Sequence, residues 1–447
     1  MKIKKVKWNN HPILGDLEVD LMNSVTGFPF DTILLAGENG TGKTTILESI
    51  SAFLNRGSFE FFEFIEYIID GKMYKAIPSD HSIKDFYKMV DDSGTVTNIN
   101  ANKNNNPGLI DTNTLDIRHY GCVFSKARAD YKTTKITSST TKALDLEKYD
   151  IDQEDDFTSL KQLIVDVQNR DNSEYAEINK DLGIAPKSWD DFYLSSNIYR
   201  FKSAFDNFFE KLKYDKVADS NVEKEIIFIK NNKSISIDKL STGEKQIVFR
   251  GIYLLKNNKQ LNGAAIMVDE PELSMHPKWQ KNILKYYKDL FTEAGIQKTQ
   301  LFIATHSEHV LEDALKDKVK NIVIALNDVS GVIHAKRIDA PSVLPSITSA
   351  ETNFLAFDII SSDYHIELYG WLQQKESKST VKSCDEFIKN HAFYNPAIHS
   401  KPSSFGTTTY DTVSTYIRNA IDHPDLSRTY TEEELRTSTE LLIRLCR

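Results

Sequence analysis

The 447-residue sequence is poor in the features that would take it out of a reducing, aqueous compartment. It has three cysteines, Cys122, Cys384 and Cys446, far apart and without a C-x-x-C spacing. That excludes a sequence-local zinc site and a disulfide framework. No apolar run approaches the roughly 18 residues of a membrane helix. The first residues, MKIKKVKWNNHPILG, lack the apolar stretch of a signal peptide. A soluble, cytoplasmic protein is expected. Positive charge is not in excess: the net charge is −9, so there is no global pull toward nucleic acid, although a local basic groove stays open. Sustained heptads and internal repeats are also missing, which excludes a long coiled coil.

What the chain does have is LLAGENGTGKTTILES at residues 34–49. Gly37, Gly42, Lys43 and Thr44 fit the G-x-x-x-x-G-K-[ST] phosphate-binding loop. The glycines let the backbone curl so that successive N–H groups point into one concavity. A helix beginning near Lys43 aims its positive end at the same point. Lys43 is placed to reach β- and γ-phosphates, and the Thr44 hydroxyl to hold Mg²⁺. Asn39, Gly40 and Thr45 complete the expected ATP-binding set. DTILLA reads as the buried strand entering the loop and KTTILESISAFL as the helix leaving it. The expected ligands are therefore ATP and Mg²⁺.

Three later stretches narrow the class. KLSTGEKQIVFRGIYL (239–254) carries Leu240-Ser241-Thr242-Gly243-Glu244 just before a helical pattern. AAIMVDEPELSMHP (264–277) ends an apolar run on Asp269-Glu270. A carboxylate at the end of a buried strand suits the Mg²⁺ shell, and the next residue suits a general base. LFIATHSEHV (301–310) puts His306 at the end of another strand. In this order the motifs resemble those of ABC-type ATPases. The resemblance implies a head dimer in which Ser241, Gly243 and Glu244 form an LSGGQ-like signature acting on the partner subunit's ATP. It implies Asp269 as the Walker-B Mg²⁺ ligand, with Glu270 as catalytic base and His306 as the switch histidine. One part of the pattern is absent. The region HYGCVFSKARADY (119–131) has no glutamine, and Ser125 or a neighbour is left there without an assigned role.

Residues 45–239 separate the loop from the signature, too many for a transporter subunit. They lack both the heptads and the zinc-hook cysteines of chromosome-maintenance and double-strand-break-repair relatives. The chain thus resembles the short-insert branch that includes the overcoming-lysogenization-defect nucleases, with DEPELSMHP in the "DEPE…HP" form. NHPILGDLEVDL…ILLAGENGTGKT is similar to the PtuA-type ATPase subunit of Septu anti-phage systems, also found beside retrons. That likeness covers the first 50 residues and the 240–310 block. It implies a homodimer at least, extending to a higher homo-oligomer, and a separately encoded HNH nuclease partner of PtuB type. Nucleic acid would be the target of the complex, with no membrane. No TOPRIM-like E…DxD constellation follows residue 310.

The fold class expected is α/β: an ABC-type head with an antiparallel β subdomain, a helical insertion and a mainly helical C-terminal domain. The boundaries expected are 1–90 and 223–344 for the two parts of the head, 91–222 for a loop and helical insertion, and 345–447 for the C-terminal domain. Within the insertion, 91–114 reads as a mobile loop, 144–215 as mostly helical, and LEKYDIDQEDD as a solvated acidic surface. Asp70-Gly71 and Asn231-Asn232 read as hairpin turns. In the C-terminal segment, Arg418-Asn419-x-x-x-His423 matches the R-[polar]-x₃-H pattern of HEPN ribonucleases, in which Arg and His cleave RNA without metal. Pro424 equally reads as a helix stop, with a capped helix beginning at Thr431. A docking domain is the primary reading and a self-contained RNase effector the alternative. A DNA-repair ATPase is third.

Overall fold

The computed structural model describes residues 1–79, 85–100, 107–153, 157–180, 187–220, 222–339, 341–424 and 427–447. At its centre lies a seven-stranded sheet. Its order is Val332–Ile338, Asn321–Val329, Thr32–Gly37, Gln300–Thr305, Ala265–Asp269, Cys122–Ser125, Tyr149–Ile151. All neighbours are parallel except the first pair, an antiparallel edge. Every residue of Thr32–Gly37, Ala265–Asp269 and Gln300–Thr305 is buried. Continuous apolar runs of this kind are what a parallel sheet covered on both faces requires. Alternate residues feed two cores: Leu34, Ile266, Val268, Leu301 and Ile303 face one, and Ile33, Leu35, Met267, Phe302 and Ala304 the other.

The second core is closed by the helix Lys43–Leu54 and a six-stranded antiparallel sheet. That sheet runs Glu18–Asp20, Lys2–Trp8, Phe62–Ile69, Lys72–Ile77, Asp85–Asp91, Val96–Asn100. The first core is closed by the helices Thr158–Ile178, Tyr199–Phe208, Thr242–Leu255 and Pro277–Leu290. The expected α/β fold with an antiparallel β subdomain is the fold observed. Both expected hairpins form, with Asp70 and Gly71 at φ 48° and 79° and Asn231 and Asn232 at φ 50° and 63°. Paired positive φ is the type I′ geometry that matches strand twist.

The segment 91–222 departs from a loop and helical insertion. Cys122–Ser125 and Tyr149–Ile151 are strands of the central sheet, and Leu212–Asp219 pairs with Lys224–Lys230 across the expected boundary. The strands at 122 and 149 are too short to show a period, and their stability comes from partners distant in sequence. Val96–Asn100 likewise pairs with Asp85–Asp91 instead of lying in a loop, while 101–106 of that loop and 154–156 of the acidic stretch fall outside the described residues.

Beyond residue 344 the chain is mainly helical, as expected, with one added hairpin, Ser400–Phe405 with Thr408–Thr412. It has its own apolar clusters, built on Tyr364, Leu368, Leu372, Ile388 and Leu442 and on Val413, Ile417 and Leu435. His365 is fully buried there, with Nε2 2.8 Å from Ser438 Oγ, which donates to Ser414 Oγ at 2.7 Å. Burial pushes its pKa down to about 3. The unfolded chain therefore binds the proton more tightly. The stability conferred by the neutral ring is complete above the unfolded pKa near 6.5 and is lost as pH falls toward 3, at up to about 1.4 kcal/mol per pH unit. His365→Gln, which cannot titrate, should flatten the fall in melting temperature between pH 6.5 and 4, as read by calorimetry. An unchanged slope would remove His365 as its cause.

Candidate active site

The strand Gln300–Thr305 lies between the phosphate-loop strand Thr32–Gly37 and the carboxylate strand Ala265–Asp269. Parallel strands present their carboxyl ends at one edge, where open α/β sheets bind ligands. That order brings Lys43, Thr44, Asp269, Glu270 and His306 together, although they lie in three distant stretches of sequence.

The loop curls as its glycines allow. Gly40 and Gly42 have φ 85° and 84°, a region L side chains avoid. At Gly37 a Cβ would meet the Leu326 carbonyl oxygen at 2.3 Å, so nothing larger fits. The Lys43 side chain is 5% exposed, and its ammonium donates to Gly37 O at 2.9 Å and Glu38 O at 2.7 Å. Burial pushes its pKa down to about 8, against the pull of Asp269, Glu270 and Glu272. Thr44 Oγ1 donates to Asp269 Oδ2 at 2.9 Å, and burial raises the Asp269 carboxyl. A hydroxyl beside a strand-end carboxylate, under a ring of loop N–H groups, suits Mg²⁺ carried in on phosphates, which is how this ion is usually held. The residues present therefore fit a magnesium nucleotide.

Glu270 adopts φ 44°, and its N–H donates to Ala304 O at 2.9 Å. Its Oε1 stands 3.5 Å from His306 Nε2. Burial, with Lys43 nearby, lowers the His306 pKa, so the ring is neutral at neutral pH. The signature residues sit apart from this cluster: no hydrogen bond or ion pair among the described residues joins Ser241, Gly243 or Glu244 to Lys43, Thr44 or His306. Ser241 caps the helix Thr242–Leu255 in a reciprocal box with Glu244, which also pairs with Lys230 at 2.6 Å. Gly243 lies against the turn after Asp269, where a Cβ would come within 2.8 Å of Ser274 O.

Ser125 is buried at the end of Cys122–Ser125, in register with Val268. Next to it, Lys126 Nζ donates to Glu48 Oε1 at 3.0 Å and Lys126 O accepts from Arg250 at 2.9 Å. In the C-terminal segment Arg418 pairs with Asp422 at 2.7 Å. His423 is exposed beyond the helix Val413–Asp422, with its ring stacked on Phe405 at 4.6 Å. No hydrogen bond or ion pair among the described residues joins the two. Sequence reasoning missed Glu272, whose Oε1 accepts the His306 backbone N–H at 2.6 Å while Oε2 is buried without a partner. The signal was there, in the second Glu of DEPE.

Two family models match the chain. One, described as an AAA ATPase domain, matches residues 1–214. The other, described as an AAA domain, putative AbiEii toxin, Type IV TA system, matches residues 126–312. The Retron Vc95 probable ATPase of Vibrio cholerae serotype O1 biovar El Tor is 34% identical over 103 residues, 21% of this chain and 19% of that protein. The Retron Ec83 probable ATPase of Escherichia coli is 36% identical over 95 residues, 19% of this chain and 17% of that protein. The matches thus span less than a fifth of the length of these relatives. Solved structures with some likeness include the SMC head domain from Thermotoga maritima, with a TM-score of 0.40, 12% identity, and coverage of 76% of this chain and 99% of that one. Another is the Smc head domain from Pyrococcus furiosus with an extended coiled coil, bound to the C-terminal domain of ScpA, with a TM-score of 0.40, 13% identity, and coverage of 75% and 96%. Residues 1–312 thus match models of ATPase domains, and no helix among the described residues is long and apolar enough to cross a membrane.

Proposed function

We propose that this ATPase chain is the nucleotide-hydrolysing subunit of an anti-phage defence complex. Two heads close on two ATP molecules, and their nucleotide state controls a separately encoded nuclease of HNH type. The convergence of Lys43, Thr44, Asp269, Glu270 and His306 at the ends of three adjacent strands carries the hydrolytic half of this reading. Lys43 binds the β- and γ-phosphates together with the loop N–H groups of residues 37–45. Thr44 and Asp269 would hold Mg²⁺, which would draw charge from the phosphate oxygens. Glu270 takes the proton of the attacking water. His306, neutral and beside Glu270, orients the γ-phosphate end. Ser241, Gly243 and Glu244, at a helix N-terminus, serve the neighbour's ATP.

The defence half is supported by the retron names of the two curated relatives and by the toxin description of one family model. The Septu assignment is supported by the likeness of the first 50 residues and of DEPELSMHP. The test is co-expression of the full chain with a separately encoded HNH nuclease of PtuB type. The two should co-purify, and Lys43→Ala should abolish protection in plaque assays. Deletion from Asp358 onward should abolish partner capture while nucleotide binding persists. Capture by the truncated chain would refute a docking role for the C-terminal unit.

The same unit yields a second expectation. The Arg418 charge is already matched by Asp422, so His423→Ala should cost only the exposed stack on Phe405, about 0.5–1 kcal/mol. Cellular activity should stay intact, and the purified chain should leave RNA uncut. RNA cleavage lost in both Arg418→Ala and His423→Ala would establish the ribonuclease reading instead.

A further inference from the structure

The turn after Asp269 is tied to two other elements by the half-buried Glu272 and the buried Gln246, side chains that the proposed mechanism does not use. Leu273 N donates to Glu270 O at 3.3 Å and Met275 N to Glu272 O at 3.0 Å, which makes the turn tight. From its inner side the Glu272 carboxylate accepts the His306 backbone N–H at 2.6 Å. From the signature helix Thr242–Leu255, the fully buried Gln246 donates Nε2 to Pro271 O at 2.9 Å. One oxygen of each side chain, Glu272 Oε2 and Gln246 Oε1, is buried without a partner. Buried acceptors left unmatched are rare in native structures, and they point to a role beyond packing.

Glu270 and Glu272 share this turn, so the bond from Glu272 to the His306 N–H fixes the base-bearing turn against the histidine-bearing strand end. It sets both ends of the 3.5 Å Glu270–His306 pair. At 2.6 Å the bond is short for an N–H donor to oxygen and holds its two partners closely. The Pro271 carbonyl, one residue away, carries the same restraint to the helix that presents Ser241 and Gly243.

We infer that Glu272 is a positioning residue for hydrolysis, holding the His306 main chain so that its ring faces Glu270. Gln246 extends that hold to the signature helix through Pro271 O. This rests on the ATPase reading above. It assigns Glu272 no contact with substrate and no proton transfer.

Two measurements test it. In nucleotide-free protein, hydrogen–deuterium exchange of peptides spanning 302–310 should show the His306 amide protected. Protection should be lost in Glu272→Ala and kept in Glu272→Gln, which retains a carbonyl acceptor. In steady-state assays Glu272→Ala should lower kcat about 100-fold, the scale of an ångström misplacement, with the KM for ATP within about threefold. Glu272→Gln should stay within about fivefold of wild type, and Gln246→Leu should lower kcat about tenfold, on the same argument. If Glu272→Ala does not fold, Glu272→Met fills the volume without an acceptor and takes its place. Rapid exchange of the His306 amide in wild type overturns the inference, as does an unchanged kcat in the acceptor-free variant. A Gln variant as impaired as the Ala variant also overturns it, since that would make the charge, not the bond, the active feature. Absence of turnover in wild type would instead sink the ATPase reading, and the exchange result would still decide the geometry.

Discussion

Glu270→Gln should reduce ATP turnover by about 10²–10⁴-fold, the usual contribution of a positioned general base, while leaving ATP binding intact. The side chain it replaces is held unusually. Glu270 sits at φ 44°, with its N–H on Ala304 O, so the strand that carries Asp269 stops and the next side chain swings out toward His306. Glutamine has the same shape and keeps one oxygen acceptor, but it cannot take a proton from water. The proposed Mg²⁺ ligands Thr44 and Asp269 stay bonded to each other at 2.9 Å and are not disturbed. Bound ATP then persists, and heads closed on it should accumulate as a dimer in light scattering with ATP and Mg²⁺. Turnover at the wild-type rate would take Glu270 out of the role of base. Loss of nucleotide binding together with turnover would place Glu270 in the binding shell instead.

The same residue shows what the sequence could and could not carry. Asp269-Glu270 after an apolar run is legible because the chemistry is local: a strand end, a carboxylate, and a second carboxylate next to it. The phosphate loop is legible for the same reason, since its glycines encode backbone conformations that only glycine adopts at Gly40, Gly42 and the crowded Gly37. The order of strands was not legible. That the His306 strand is inserted between the other two follows from parallel pairing across separations such as Ala265 with Gln300 and Leu301 with Thr32, which no local pattern records. Cys122–Ser125 and Tyr149–Ile151 were missed for a related reason: a strand of three or four residues has no measurable period, and its stability lies in its neighbours. Glu272 stood in plain view within DEPE, but its role depends on where the His306 N–H falls in space. At the His423 pattern the common residues make other local contacts. Arg418 is matched to Asp422, and His423 lies on Phe405.

Mixing Lys43→Ala chains with Ser241→Arg chains should restore ATPase activity that neither variant has alone. In a two-fold dimer each composite site takes its loop from one subunit and its signature from the other. Both sites are broken in either homodimer, but one site is whole in the mixed dimer. Random exchange of equal amounts should then return roughly a quarter of the wild-type rate, provided each site works alone. The placement of Ser241 supports this arrangement. It is exposed at the start of its helix, bonded only within its own cap, and has no hydrogen bond to its own chain's loop or to His306. An arginine there meets the partner's phosphate loop rather than its own core, so Ser241→Arg chains should bind ATP and fold, with stability lowered only by the lost helix cap, about 1 kcal/mol. Lys43→Ala chains should fold but lose nucleotide, because the buried ammonium is the loop's one side-chain cation. Mass measurement of the mixture establishes that mixed dimers form. If they form and remain inactive, two explanations stand, and they separate cleanly. Mixing equal amounts of Glu270→Gln and wild type should leave about half of the sites turning over if the sites are independent, and about a quarter if both must fire together. Half-activity in that second mixture, beside inactivity in the first, would place the signature on its own chain's nucleotide and end the cross-subunit reading.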